Sequence, residues 1–364
     1  MKKTLVALAA LAATSAFAQS TVTIGGIVSY GQSVSVAKQA TVGGWKGDRN
    51  VLNFAIVEDL GGGNNIGVNL QSRFNSATSG MNTAYKSSET GAAGDNVFEQ
   101  SKVTINTANY GQLALGRFTN AIGVAALHPL EDAGQSTASH QALNGRHSGQ
   151  TQYTTPSFGG AKLFVLSAKA SSNKYLGAGT GAGYSSAWDL AAANLATNAG
   201  ADSRHRDTSA VGVDYTAGNL YVHAYDYKDL LNVHQTKIGA TYNFGTFKLW
   251  GSQFNQKDNI AYSATAAAAT TGIAAHKATE IAVTVPYGAY TATLGRFQAD
   301  KDLDLGKTDG STKTQKTGWG LTYDVSKRTQ LQYYGSSTSK GSANLNSGGL
   351  ASGHNHFWGV QHTF

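Results

Sequence analysis

Ser136 and Ser139 stand among His128, His140 and His147 within one long connection. Those residue types could carry out acyl transfer if a third group held a histidine against a hydroxyl. No strand-borne Ser–His arrangement accompanies them, so hydrolysis is not the expected activity. His354, His356 and His362 alternate along another segment, and strand side chains two apart share a face. No carboxylate or cysteine converges on them, so no metal site is expected. The run DLGGGN (59–64) has the composition of a phosphate-cradling loop. Such loops join a strand to a helix N-terminus, whereas these glycines join two strand patterns. The expectation is a chain with no catalytic residue and no cofactor.

The elements that would hold these side chains are strands. In NIGVNLQSRF, Ile66, Val68, Leu70 and Phe74 fall on one face, and Gly67, Asn69, Gln71 and Arg73 on the other. TKIGATYNFG sets Ile238, Ala240, Tyr242 and Phe244 against Lys237, Gly239, Thr241 and Asn243. TEIAVTVPY and TGWGLTYDV repeat the pattern. Period two over such lengths marks half-buried strands. Only SSAWDLAAANLATN (185–198) could form a short helix within a loop. Short turns near 58–64, 108–112, 216–219, 243–246, 286–290 and 325–329 alternate with long connections near 31–48, 76–96, 118–149, 171–205, 257–276, 300–315 and 338–353. Turns at one end and long loops at the other are the habit of transmembrane barrels. Pro129 lies in a long loop, and Pro156 and Pro286 lie at strand ends, where no ladder donor is lost.

About sixteen strands are expected, an all-β antiparallel barrel in which the first strand meets the last and no edge is left in lipid. The alternative is a soluble secreted sandwich. Sandwich strands average about 5–6 residues, and many here run near ten. Composition agrees: 44 Gly, 3 Pro, 17 Tyr and no Cys, with charged residues at 13%, below the roughly 25% of soluble domains. Lys2 and Lys3, the apolar run Leu5 to Ala13 and Ala16-Phe17-Ala18 read as a secretory signal peptide, cleaved after Ala18. Residues 19–364 are then one barrel domain. Loss of Lys2 and Lys3 leaves 26 basic against 21 acidic residues, a formal +5. An exported chain rarely meets nucleic acid, so none is expected as a partner.

Several segments resemble the general porins of β-proteobacteria, the trimeric Gram-negative porin family. They are STVTIGGIVSYG (20–31), VEDLGGGNNIGVNLQSRF (57–74), VTINTANYGQLALGRFTNA (103–121), YTTPSFGG (153–160, as Y-x-x-P-x-F-x-G), LTYDVSKRTQLQYYG (321–335) and WGVQHTF (358–364). Their order spans nearly the whole chain. The resemblance implies an outer-membrane homotrimer of sixteen-stranded barrels passing small hydrophilic solutes and ions, with a third loop folded into the lumen. It also implies contact with outer-membrane lipid and lipopolysaccharide, and recognition of Phe364 by the barrel-insertion machinery. A non-conducting adhesin or scaffold is the alternative from another class.

In a pore, charges at the narrowest point tune selectivity. Parity places Arg49, Arg73, Lys102 and Arg146 on inward positions. Arg117 has outward parity but begins the long loop and can swing inward. Glu131 and Asp132 lie on that loop and would oppose the basic wall. Where the family commonly has acidic residues, this chain has Ser29 and Gln71; where it commonly has basic ones, it has Ala55 and Gln361. The formal +5 and the inward arginines give the expectation of a weak anion preference.

Overall fold

The computed structural model describes residues 20–34, 40–43, 50–74, 98–119, 121, 130, 149–168, 208–228, 234–257, 276–299, 314–338 and 353–364. Seventeen strands form one sheet. They are β1 (Thr21–Val34), β2 (Ala40–Gly43), β3 (Val51–Gly61), β4 (Asn64–Arg73), β5 (Gln100–Thr107), β6 (Gly111–Arg117), β7 (Gln150–Thr154), β8 (Ala161–Ala168) and β9 (Thr208–Ala217). β10 (Leu220–Lys228), β11 (His234–Asn243), β12 (Lys248–Gln256), β13 (His276–Tyr287), β14 (Tyr290–Ala299), β15 (Thr314–Asp324), β16 (Thr329–Thr338) and β17 (Gly353–Thr363) follow. The signal segment 1–18 and the helix expected at 185–198 lie outside the described residues.

From β3 to β17 each strand pairs antiparallel with the next. β1 closes the sheet against β17, from Ile27↔Thr363 to Val34↔His356. Its other edge meets two strands end to end: β3 from Thr21↔Val57 to Ile27↔Val51, and β2 from Gly31↔Gly43 to Val34↔Ala40. β2 and β3 make one stave, so the barrel has sixteen. The first long connection is shorter than the expected 31–48, because residues 31–34 prolong β1 and 40–43 return along it. Gly31 permits this: a Cβ there would lie 2.6 Å from the Phe357 ring of the neighbouring strand.

At the other end of the seam, the Gly26 N–H donates to the Phe364 carbonyl at 3.0 Å and the Phe364 N–H donates back at 3.1 Å. The Phe364 ring lies where a Gly26 side chain would stand, 2.6 Å from its ideal Cβ. Short turns at 218–219 and 288–289 carry Gly218 (φ 53) and Gly288 (φ 58) in the left-handed region, which only glycine enters freely.

The alternation has an inside-out sense. Ile24, Val165, Val211, Ile238, Ile281 and Leu294 are each more than half exposed on the outer surface. Their strand neighbours Leu166, Ala210, Lys237 and Glu280 are buried on the inner one. In water such an apolar exterior would aggregate; in a bilayer it is the correct face. Exposed aromatics (Phe158, Tyr215, Phe244, Tyr287, Tyr290, Tyr323 and Phe364) gather beside the short turns, where amphipathic rings suit an interface. The Tyr290 and Tyr323 rings touch at 4.8 Å between centroids. His362 belongs to this girdle, its Nδ1 hydrogen-bonded at 2.9 Å to the hydroxyl of Thr329, which opens β16 just after a short turn.

Leu130, from the connection between β6 and β7, is buried in a cluster with Tyr334 of β16 and Phe357 of β17. Both aromatics lie on the inner face, so the third connection stands inside the barrel at Leu130.

Depth on the outer face sets the cost of a charge there. Val165→Arg, five residues above its turn, should destabilise the barrel by about 2–4 kcal/mol, whereas Phe158→Arg, within the turn, should cost only about 0–1 kcal/mol. Urea titration in lipid vesicles, read by tryptophan fluorescence, measures both.

Candidate functional site

Sixteen strands spaced about 4.8 Å and tilted about 40° enclose a lumen roughly 30 Å wide between backbones. Side chains alone do not fill that width, so an entering loop is needed to narrow it. Three inward glutamines guide the chain in. Gln100 Oε1 accepts from the Thr119 N–H at 2.8 Å, Gln150 Nε2 donates to the Phe118 carbonyl at 2.7 Å, and Gln152 Oε1 accepts from the Ala121 N–H at 3.0 Å. These amides satisfy three backbone groups that leave the ladder where β6 ends, which lowers the cost of the turn inward.

Beside that entry sit three of the expected charges. Arg73 ends β4 and forms an ion pair with Glu99, both side chains almost fully buried. Glu99 is held in place by its N–H, which donates to the Gln71 carbonyl at 2.7 Å. Arg117 lies opposite Ser101, with outward parity as its spacing predicts, and its Nε donates to the Glu99 carbonyl at 3.2 Å. Both arginines therefore converge on one residue, Arg73 on its carboxylate and Arg117 on its backbone. Lys102 points inward between Asn69 and Gly116, its ammonium 5.9 Å from the centroid of the Phe118 ring. Arg49, Arg146, Glu131 and Asp132 lie outside the described residues, as do Ser136, Ser139, His128, His140 and His147.

Glu99 is absent from the expected set. It precedes β5, where alternation has not begun, so no parity marks it. The far wall also carries charges that the pattern could have disclosed. Lys237 alternates with Ile238, Glu280 with Ile281, and Lys316 with Trp319 by three positions, all on inward sites. Glu280 and Lys316 flank Phe297 in one cross-strand row. Lys237 is opposite Phe254, which clusters with Ala278 and Phe297. Among these described inward residues, Arg73, Lys102, Lys237 and Lys316 outnumber Glu99 and Glu280. Toward the short-turn end, Lys248 sits over the Trp250 ring at 4.9 Å, and Asp214 accepts from the Tyr221 hydroxyl at 2.8 Å.

At Ser29 and Gln71, where acidic residues were expected, and at Gln361, where a basic one was, amides and hydroxyls are knit together instead. The Ser29 N–H and hydroxyl donate to Asn50 Oδ1 at 2.6 and 3.0 Å, with both residues buried. Gln71 accepts from Gln100, and Gln361 accepts from Gln332 at 3.2 Å. Among the described residues no group of three His, Cys, Asp or Glu could hold a metal ion. His356 instead meets the Tyr333 hydroxyl at 2.9 Å.

Comparison with known proteins gives the same architecture. A family model described as Gram-negative porin matches residues 4–343. A solved anion-selective porin from Comamonas acidovorans superposes with a TM-score of 0.68 at 20% identity, covering 95% of this chain and all of that one. The trimer form of OmpT from Vibrio cholerae gives 0.60 at 12% identity, over 95% of this chain and 99% of that one. OmpF of Salmonella typhi, solved with daunomycin, gives 0.64 at 10% identity, over 94% and 97%. No curated protein sequence matches significantly.

The contact between Arg73 and Glu99 makes a thermodynamic demand. Arg73→Gln and Glu99→Gln should each lower stability, since each strands the other's buried charge. The double variant should lose less than the sum, with a coupling of about 0.5–3 kcal/mol. A double-mutant cycle by urea unfolding tests this; additive losses would refute the coupling.

Proposed function

The chain belongs to the Gram-negative porin family, and from that premise we propose that its channel, an outer-membrane route for passive diffusion of small hydrophilic solutes and ions, favours anions. One observation carries the preference: in the loop-side half of the inner wall, where the third connection enters, the described cations Arg73, Lys102, Lys237 and Lys316 outnumber the carboxylates Glu99 and Glu280. Arg73 and Lys102 stand on the wall from which the third loop enters, and Lys237 and Lys316 on the other. A unit charge about 8 Å from a permeating ion in water contributes roughly 0.5 kcal/mol, a factor of about two in ion occupancy. Glu99 offsets Arg73 at short range, which keeps the net preference weak. Arg117 supports the same set through Glu99, and Arg49 and Arg146 would add to it by parity. Glu131 and Asp132, one and two residues after the buried Leu130, would oppose the basic wall. The anion-selective Comamonas acidovorans porin lends support by likeness of fold.

A homotrimer is the proposed assembly, supported by the trimeric form of the Vibrio cholerae neighbour. The apolar outer face would meet outer-membrane lipid and lipopolysaccharide, and Phe364 would be read by the barrel-insertion machinery. Residues 1–18 would be removed on export.

Planar-bilayer recording tests the proposal. The expected record shows insertions in three equal steps and a reversal potential on the anion side in a KCl gradient. Arg73→Gln should shift it toward cations and Glu99→Gln toward anions, each by about twofold in permeability ratio. A cation-selective wild type would refute the preference, and a barrel without conductance would favour an adhesin or scaffold.

A further inference from the structure

Leu130 occupies a built hollow. Its Cδ1 lies 2.8 Å from the ideal Cβ position of Gly295, and its Cδ2 lies 3.4 Å from that of Gly320. Both glycines face inward, on β14 and β15. Ala282, Gly295 and Gly318 align in register across three strands, so this strip of wall has almost no side-chain relief. Tyr334 and Phe357 stand beside it and close on Leu130, which is left 1% exposed. The hollow has the size of one aliphatic side chain because the wall glycines decline to fill it.

The position of the hollow matters more than its fit. β6 and β7 are the fifth and sixth staves, and β14 and β15 the thirteenth and fourteenth. The two pairs face each other across the barrel. Leu130 comes nine residues after Ala121, the last point held by a glutamine, a reach of up to about 30 Å in extended chain, enough, with the side chains at either end, to cross a lumen about 30 Å wide. The near end of the connection is fastened by the three glutamines, and Leu130 fastens it on the far wall.

We propose that Leu130 is a positioning residue for permeation: seated between Gly295, Gly320, Tyr334 and Phe357, it fixes where the third connection crosses the lumen and so sets the open cross-section. It touches no permeating ion and acts only through the loop it holds. The inference rests on the pore assignment above.

The chain contains no cysteine, which allows a direct test. In a Leu130→Cys, Gly295→Cys variant, mild oxidation in outer membranes should close a disulfide, and single-channel conductance should stay near wild type. Leu130→Ala should raise conductance, raise open-channel noise severalfold and move the reversal potential, at an unchanged trimer melting temperature. Leu130→Met, which refills the hollow, should restore all three. Failure of the disulfide to form overturns the proposal. So does Leu130→Ala with wild-type conductance, noise and reversal potential, whether or not its melting temperature falls. A wild-type protein that conducts nothing would instead remove the pore assignment itself.

Discussion

A strand in a bilayer has no water to satisfy its backbone, so every N–H and C=O must find a partner within the protein. The seam between β1 and β17 is where that demand is met last. Eight residue pairs from Ile27↔Thr363 to Val34↔His356, with the reciprocal Gly26–Phe364 bonds below them, convert a sheet with two open edges into a barrel with none. The second edge of β1 needs two partners, the short β2 and the longer β3, to be covered along its length. Close approach at the seam depends on Gly26 and Gly31, whose missing side chains leave room for the rings of Phe364 and Phe357.

Closure fixes which face meets lipid, and alternation then assigns every other residue to water. The inner wall carries a polar mesh beside its buried apolar clusters. Glutamines on β5 and β7 take up the backbone of the entering loop, Asn50 holds Ser29, and Glu99 gathers Arg73 and Arg117. On the wall's far side, Tyr334 and Phe357 receive Leu130 from the third connection.

Much of this was legible in the sequence because a period of two is simple to read. The outward set of Trp358, Val360 and Phe364, the inward Arg73 and Lys102, and the sense of the loop-turn alternation all follow from parity. What parity cannot give is a partner. Glu99 stands before its strand begins, so nothing local ties it to Arg73, 26 positions earlier. Lys237, Glu280 and Lys316 were on the polar side of readable patterns, yet their relation across Phe297 and Phe254 is set by register among strands far apart in sequence. The break of the second stave into β2 and β3 was hidden because a connection and a short edge-covering strand have similar composition. Leu130 was invisible for a further reason: a single leucine in a loop gains meaning only from two glycines more than 150 positions away.

The division of each strand between two solvents has an evolutionary consequence. Outward residues answer to the bilayer and inward ones to the solutes, and few side chains answer to both. A lineage can therefore exchange the ions it admits by replacing single inward residues, such as Lys237 or Lys316, while the lipid-facing half of the chain stays under its own, separate selection. Arg73 and Glu99 are the exception. Because each neutralises the other's buried charge, a change at one makes a change at the other advantageous, so these two positions are expected to vary together while their neighbours drift alone.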